Sequence, residues 1–326
     1  MAHDEINVRQ LSSEWIKSAS QLEARAYSWL HHQFGEPDKP ERKTEMLSAY
    51  VENYSKGAKA AFIDETLVGF GIAQKWGILG WIGSVVVEPA FHGRGVGHAL
   101  VDSMVKTLSA DGCSTIALEV HHYCPNIQFY IRLGFIPVAT VFVLERQVQA
   151  PNFCLEGRLV SHIPSLEDGP EGHRELHRAN SIKGLKKYSN AIYDGLDYSP
   201  AAEVMLDSGF GEVIIWGDED APWGAAIIPT QPLFEGPPSS SLNVSLLTLR
   251  EGELSQADPC ILADLAVMAD RAGRRSIRLA LCGCRSNELS ALVNAGGFRI
   301  VKTRQRMVLD RHPVEPISMD YVLYGI

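Results

Sequence analysis

Three glycines at alternate positions, Gly93, Gly95 and Gly97, with Arg94 between the first two, are the residues of this chain best placed to do chemistry. They follow a short apolar run (Ser84, Val85, Val86, Val87) and a Glu88-Pro89 stop. They lead at once into a helical pattern with Val96, Leu100, Met104 and Leu108 on one face and Val101 and Val105 beside it. Strand, glycine loop and helix start, in that order, make an anion site. Amides of the loop and of the first helical turn have no intrahelical acceptor, and the helix dipole adds positive potential there. Glycine lets an anion reach the backbone without meeting a Cβ. Arg94 adds a permanent cation with bidentate reach. The spacing excludes two common anions. A dinucleotide loop needs G-x-G-x-x-G, but Gly95 and Gly97 are followed by Leu100, and the P-loop's Lys-Ser/Thr pair is missing.

Other reactive side chains are scattered. Glu119 interrupts the apolar run TIALEV at 115–120, and Tyr130 lies near the end of a short helical pattern at 125–133. Six cysteines (Cys113, Cys124, Cys154, Cys260, Cys282 and Cys284) show no disulfide framework. Cys282-Gly-Cys284, and His121-His122 with Cys124, lack a second ligand pair at zinc-site spacing, so no metal is expected and the thiols read as buried or bystander groups. His92, His121 and His122 are weaker candidates for proton transfer.

The elements that position these residues follow from periodicity. A strand at 6–11 precedes a helix to about Leu30, with Ser12, Ser13 and Glu14 as its N-cap region. A second helix is expected at 41–54, a hairpin with an acidic Asp64-Glu65 turn at 58–74, and a strand at 79–87. After the loop helix come a strand at 115–120, a short helix stopped by Gly134, and a β-branched strand at 135–144.

The run His92-Gly93-Arg94-Gly95-Val96-Gly97 resembles the acyl-CoA pyrophosphate loop of the GCN5-related N-acetyltransferase (GNAT) family, R/Q-x-x-G-x-G/A, with His92 in the place of Arg or Gln. Phe129-Tyr130-Ile131-Arg132-Leu133-Gly134-Phe135 resembles the second half of the family's N-x-x-A-x-x-L/F-Y-x-x-x-G-F run; Asn126 stands closer to the tyrosine than usual, and Pro125 precedes it. The resemblance implies acetyl-CoA as co-substrate, no metal, and direct attack of a primary amine in a ternary complex. It implies that the backbone of Val85, Val86 and Val87 pairs with the pantetheine chain. His92, Gly93, Arg94, Gly95, Val96, Gly97 and His98 would cradle the diphosphate, with Asn126 and Tyr130 also on the cofactor. It further implies Tyr130 as the acid for the departing sulfur and Glu119 as the base, acting through a water. Residues 27–54 would shape the acceptor side. The same residues also fit a second reading, an acyl-CoA-binding or sensing module whose catalysis has lapsed.

The second half repeats the plan of the first. Helices are expected at 181–193, 200–208, 259–272 and 288–294, and strands at 212–216, 224–228, 242–249, 276–281 and from Phe298 to Leu309. Setting Gly297-Phe298 on Gly134-Phe135 puts Val301 on Val138 and Thr303 on Thr140, and SIRLAL matches TIALEV. Val293 then replaces Tyr130, Ala280 replaces Glu119, and 250–258 carries three carboxylates without alternating glycines. With the apparent duplication, the resemblance implies an α/β (α+β) fold: two tandem GNAT-like domains, each a mixed, mostly antiparallel twisted sheet flanked by helices. Residues 1–150 would be catalytic and 151–326 a degenerate, non-catalytic partner, with the boundary in the polar stretch 148–165.

A chain of 326 residues has room for two such domains, and 45% apolar residues suffice to fill their cores. A net charge of −9 argues against a nucleic-acid surface spread over the whole molecule. No run reaches the length of a membrane span and no signal-peptide core is present, so a cytoplasmic location without membrane partners is the expectation. Nothing encodes the acceptor amine or a homodimer.

Overall fold

The computed structural model describes residues 5–121, 123–148, 171–218, 221–249, 259–313 and 322–323. The chain divides into two compact units, Met1–Leu118 with Pro232–Pro238, and Glu119–Gln231 with Ser239–Gly325. The expected boundary near residue 150 lies outside the described residues.

In the first unit the chain runs β1 (Asn7–Gln10), α1 (Ile16–His32), α2 (Thr44–Asn53), β2 (Ala58–Ile63), β3 (Thr66–Trp76), β4 (Leu79–Val87), α3 (Val96–Ala110) and β5 (Thr115–His121), whose residues 119–121 belong to the second unit. The strands lie in chain order, antiparallel except for the parallel β4–β5 pair. The β2–β3 turn puts Asp64 (φ 46°) and Glu65 (φ 58°) in the left-handed region, as a two-residue hairpin loop demands. Ser12 does not cap α1. A 3-10 turn (Ser13–Trp15) comes first, and the Ser12 hydroxyl donates to Glu14 instead.

Helix α3 sits close on the sheet because glycines floor it. A Cβ on Gly69 would lie 3.0 Å from Val96 and 3.2 Å from Leu100; one on Gly71 would lie 2.7 Å from Met104, and one on Gly80 2.9 Å from Leu108. The i, i+4 stripe of α3 thus meets small residues at each turn. Val96 and Leu100 join Ala61, Ile63 and Val68 in a core cluster against which Ile6, Val85, Val87 and Phe91 pack.

The second unit contains α4 (Cys124–Arg132), β6 (Phe135–Gln147), α5 (Glu171–Ile192), α6 (Ser199–Asp207), β7 (Gly211–Asp218), β8 (Ala221–Pro229), β9 (Ser241–Asn243), β10 (Leu246–Leu249), α7 (Pro259–Arg271), β11 (Ser276–Cys282), α8 (Ser286–Asn294), β12 (Arg299–Leu309) and β13 (Val322–Leu323). One sheet here runs β5–β12–β6–β11–β9 and a second runs β13–β10–β8–β7. The single strand expected at 242–249 is instead two. Val244 donates its amide to Arg278 of β11 and the next amide, Ser245, donates to Ile227 of β8, so the chain changes sheets between adjacent residues. An apolar pattern cannot report that switch, because both pieces are buried.

Strand β12 pairs with β6 from Phe135 to Glu145 in a symmetric register. Arg299 pairs Glu145, and Val308 pairs Ile136. Under the alignment that sets Phe298 on Phe135, those two pairs are the same pair seen from either copy. Val141 pairs Arg304, its own equivalent, so a local dyad passes between them. The two register shifts skip Val301 on β12 and Val138 on β6, again equivalents.

Candidate active site

The loop between β4 and α3 has the conformation that its glycines anticipate. A 3-10 turn (Pro89–Phe91) ends the strand, Gly93 (φ 76°) and Gly95 (φ 89°) are left-handed, and Gly95 caps α3. The Gly95 carbonyl accepts from the Ala99 amide at 3.0 Å. Upstream of it, the amides of Gly93, Gly95, Val96, Gly97 and His98 donate to no backbone acceptor among the described residues. The approach is open: a Cβ on Gly93 would meet nothing within 4 Å, and one on Gly95 only Ile6 at 3.7 Å. Residues 92–95 are exposed, and the dipole of a 15-residue helix and the Arg94 guanidinium, 4.9 Å over the Phe91 ring, bias the loop toward anions.

His92 departs from an anion-facing role. Its Nε2 lies 3.1 Å from the Val87 carbonyl and its ring meets Trp29 edge-on at 4.9 Å, so it ties the loop to the end of β4. On β4 itself, pairing with β5 runs from Leu79↔Thr115 to Ile82↔Leu118 and stops. Beyond that point Val85, Val86 and Val87 keep β3 on one edge, paired with Gly71, Phe70 and Gly69, and have no strand on the other among the described residues. A register shift that skips Gly83 and Ser84 marks where the strands part. An open strand edge is the surface to which an extended amide-bearing chain adds.

Behind β4 the first unit holds a buried ion pair that sequence reasoning missed. Arg42 donates from Nε and Nη2 to both Glu23 oxygens at 2.8 Å, and the Ser84 hydroxyl reaches Glu23 Oε1 at 3.4 Å. Burial would lower the Arg42 guanidinium, but the Glu23 charge and hydrogen bonds raise it. Burial pushes the neighbouring Tyr50 phenol up to about 12. The available signal was Glu23 inside the α1 stripe of Ala19, Leu22 and Ala26. The segment expected to shape the acceptor side is also backed by distant chain: Phe234 bridges Arg42 as an antiparallel partner and stacks under Lys39 Nζ at 3.7 Å.

In the second unit Tyr130 is buried on α4, edge-to-face with Phe129 (4.9 Å) and Phe135 (5.8 Å). Asn126 lies in the first turn of α4, its amide donating to the Tyr123 carbonyl. Glu119 is not solvated. Arg306 donates to its Oε1 from Nη2 (2.6 Å) and Nε (3.0 Å), and Arg304 stands 3.8 Å from Oε2. Oε2 accepts no hydrogen bond among the described residues. Burial lowers the Arg306 pKa, but the Glu119 charge and hydrogen bond, together with Cys282 and Cys284, raise it overall. Both arginines come from β12, too far along the chain for local pattern to link them with Glu119. His121 is half-buried at the end of β5, and His122 lies outside the described residues, as do Cys154 and the carboxylate-bearing stretch at 250–258. Among the described residues no group of three or more His, Cys, Asp or Glu side chains is placed to hold a metal ion. None of the described helices is long and apolar enough to cross a membrane.

Comparison with known proteins bears on the fold. Residues 23–135 match the model of the Acetyltransferase (GNAT) family. The fold is similar to that of a Pyrococcus horikoshii protein described as a candidate acetyltransferase (TM-score 0.60, 14% identity, 98% of this chain and 94% of that one). It is also similar to a GCN5-related N-acetyltransferase from Sphaerobacter thermophilus (TM-score 0.54, 12% identity, 94% and 96%). A third similar structure is the GCN5-related glucosamine N-acetyltransferase region of a fungal multi-domain β-N-acetylglucosaminidase (TM-score 0.58, 13% identity, 94% of this chain and 38% of that one). No curated protein matched the sequence. The family model matches about a third of the chain, and the fold of the chain as a whole is GNAT-like.

Proposed function

We propose that this chain is an acetyl-CoA-dependent N-acetyltransferase that acts on a primary amine, of a small molecule or a protein, by direct attack. The observation that carries the reading is the set of amides of Gly93, Gly95, Val96, Gly97 and His98, which donate to no backbone acceptor among the described residues, at the start of a helix and next to a strand whose edge opens at Val85. Those amides and Arg94 bind the diphosphate, and Val85, Val86 and Val87 pair with the pantetheine amides. An amide of that strand edge polarises the thioester carbonyl as the tetrahedral oxyanion forms.

Tyr130 is the proposed acid. A phenol stays protonated at neutral pH and can donate to the departing thiolate. Glu119 Oε2, the oxygen that Arg306 leaves without a hydrogen bond, is the proposed base, taking the ammonium proton through a water. Asn126 is assigned to the cofactor by resemblance alone. The second half is proposed to be a GNAT-like repeat that lost its own site, which the symmetric β6–β12 register supports.

The experiment is a paired measurement on wild type and Gly95→Glu: acetyl-CoA affinity by calorimetry, and thiol release against an amine library. A side chain at φ 89° carrying a carboxylate fills the cradle and should abolish binding. Unchanged affinity refutes the loop assignment. Tight binding by wild type with no thiol release for any amine would favour the lapsed binding module, for which the two-arginine hold on Glu119 is the supporting observation.

A further inference from the structure

Beyond the acyl-transfer chemistry, the end of β11 carries two cysteines in direct contact. The Cys284 thiol donates to Cys282 Sγ at 2.7 Å. Their roles are unequal: Cys282 is 1% exposed, whereas Cys284 faces solvent. The turn that joins them is held on both sides. Gly283 donates its amide to the Thr140 carbonyl at 2.7 Å, and Arg285 donates to the Cys282 carbonyl at 3.0 Å. A Cβ on Gly283 would stand 2.9 Å from the Thr140 oxygen and 3.1 Å from the Phe142 ring, so only glycine closes this turn. The main chain that carries the two cysteines is therefore fixed on the β6 side.

Charge around the pair is also specific. The Cys284 hydrogen bond and the Arg306 guanidinium favour the Cys282 thiolate against burial and against the more distant Glu119 carboxylate. The same shared proton, and then burial, raise the Cys284 thiol above its ordinary value. Cys113 is a useful contrast: it is buried, and burial pushes its thiol up to about 11.

We propose that Cys282 and Cys284 form a thiol–disulfide exchange site that takes small organic disulfides from solvent and is converted by them to an intramolecular disulfide. The chemistry follows from the geometry. Cys282 Sγ accepts the Cys284 proton along the existing S–H···S contact. As that proton passes to the Cys282 thiolate, which acts as the base, the exposed Cys284 sulfur attacks one sulfur of the disulfide R–S–S–R, forming Cys284–S–S–R and expelling RS⁻. Cys282 then gives up its proton to RS⁻ and attacks Cys284 Sγ, forming the Cys282–Cys284 bond and expelling the second RS⁻. The protein loses two electrons and one proton, and R–S–S–R becomes RSH and RS⁻. Oxidation removes the thiolate beside Arg306 and leaves that arginine with Glu119 as its counter-charge.

The test exposes the full chain to oxidised 2-hydroxyethyl disulfide, blocks remaining thiols by alkylation, and maps the cysteines by mass spectrometry. Wild type should yield a peptide with Cys282 and Cys284 crosslinked and no lasting adduct on either, at least tenfold faster than any reaction of the exposed Cys124. Cys282→Ser should trap a stable mixed disulfide on Cys284. Cys284→Ser should slow modification of Cys282 at least tenfold, because the buried sulfur lacks its exposed relay. Independent alkylation of Cys282 and Cys284 in wild type after exposure, or adducts confined to Cys124, would overturn the proposal. Because the wild-type mapping needs no variant, a folding defect in either serine variant does not shield the proposal. The outcome does not depend on acetyl-CoA binding.

Discussion

Tyr130 makes the sharpest residue-scale prediction. Its ring is locked between Phe129 and Phe135, so Tyr130→Phe should fold as wild type does and remove only the hydroxyl. We expect kcat to fall by about 10²–10⁴-fold, the range of a lost general acid, with acetyl-CoA affinity nearly unchanged. An unaltered rate removes Tyr130 from the mechanism. Glu145 gives a prediction about stability. Burial alone would raise its carboxyl. Hydrogen bonds from Ser241 and Ser276, with Arg278 and Arg299 alongside, outweigh burial and hold it down at about 2. A depressed carboxyl stabilises the fold fully above its ordinary value of 4.5 and loses that contribution as pH falls toward about 2. Chemical-denaturation midpoints of wild type should therefore drop across that window. Glu145→Gln should be less stable at neutral pH and show a flatter acid limb; parallel limbs would show that the cluster contributes nothing.

At the scale of elements, the glycine loop is aimed by α3, and α3 is seated on glycines. Gly69→Val puts a branched side chain where a single Cβ already meets Val86 O at 2.9 Å and Val96 at 3.0 Å. Neither a strand carbonyl nor a helix base can yield without moving α3. A loss of about 1–3 kcal/mol is expected, with weaker acetyl-CoA binding in the fraction that folds. Thermal melts and calorimetry together check it, and wild-type values for both would mean that α3 is held by something else. This scale also shows what sequence could reveal. The loop, the helix behind it and the Gly134 stop were legible because each depends on residues a few positions apart. The Glu23–Arg42 pair, the Arg304 and Arg306 hold on Glu119, and the division of 242–249 between two sheets were not. Each is decided by a partner far along the chain, and burial makes both sides of such a contact look like ordinary core.

On the scale of the whole molecule, β6 has β12 on one edge and β11 on the other, and both arrive from the far end of the chain. Residues 1–148 alone should therefore aggregate, since the strand would expose two unpaired edges. Soluble, monomeric 1–148 with a cooperative melt would contradict this. The dyad between Val141 and Arg304 carries the point further. If the proposed repeat is real, the β6–β12 pair is where its two parts exchange a strand about a local axis. The continuity of the chain should then be dispensable. Separate cistrons encoding 1–148 and 171–326 should yield partners that rescue each other's solubility and co-purify at one-to-one stoichiometry.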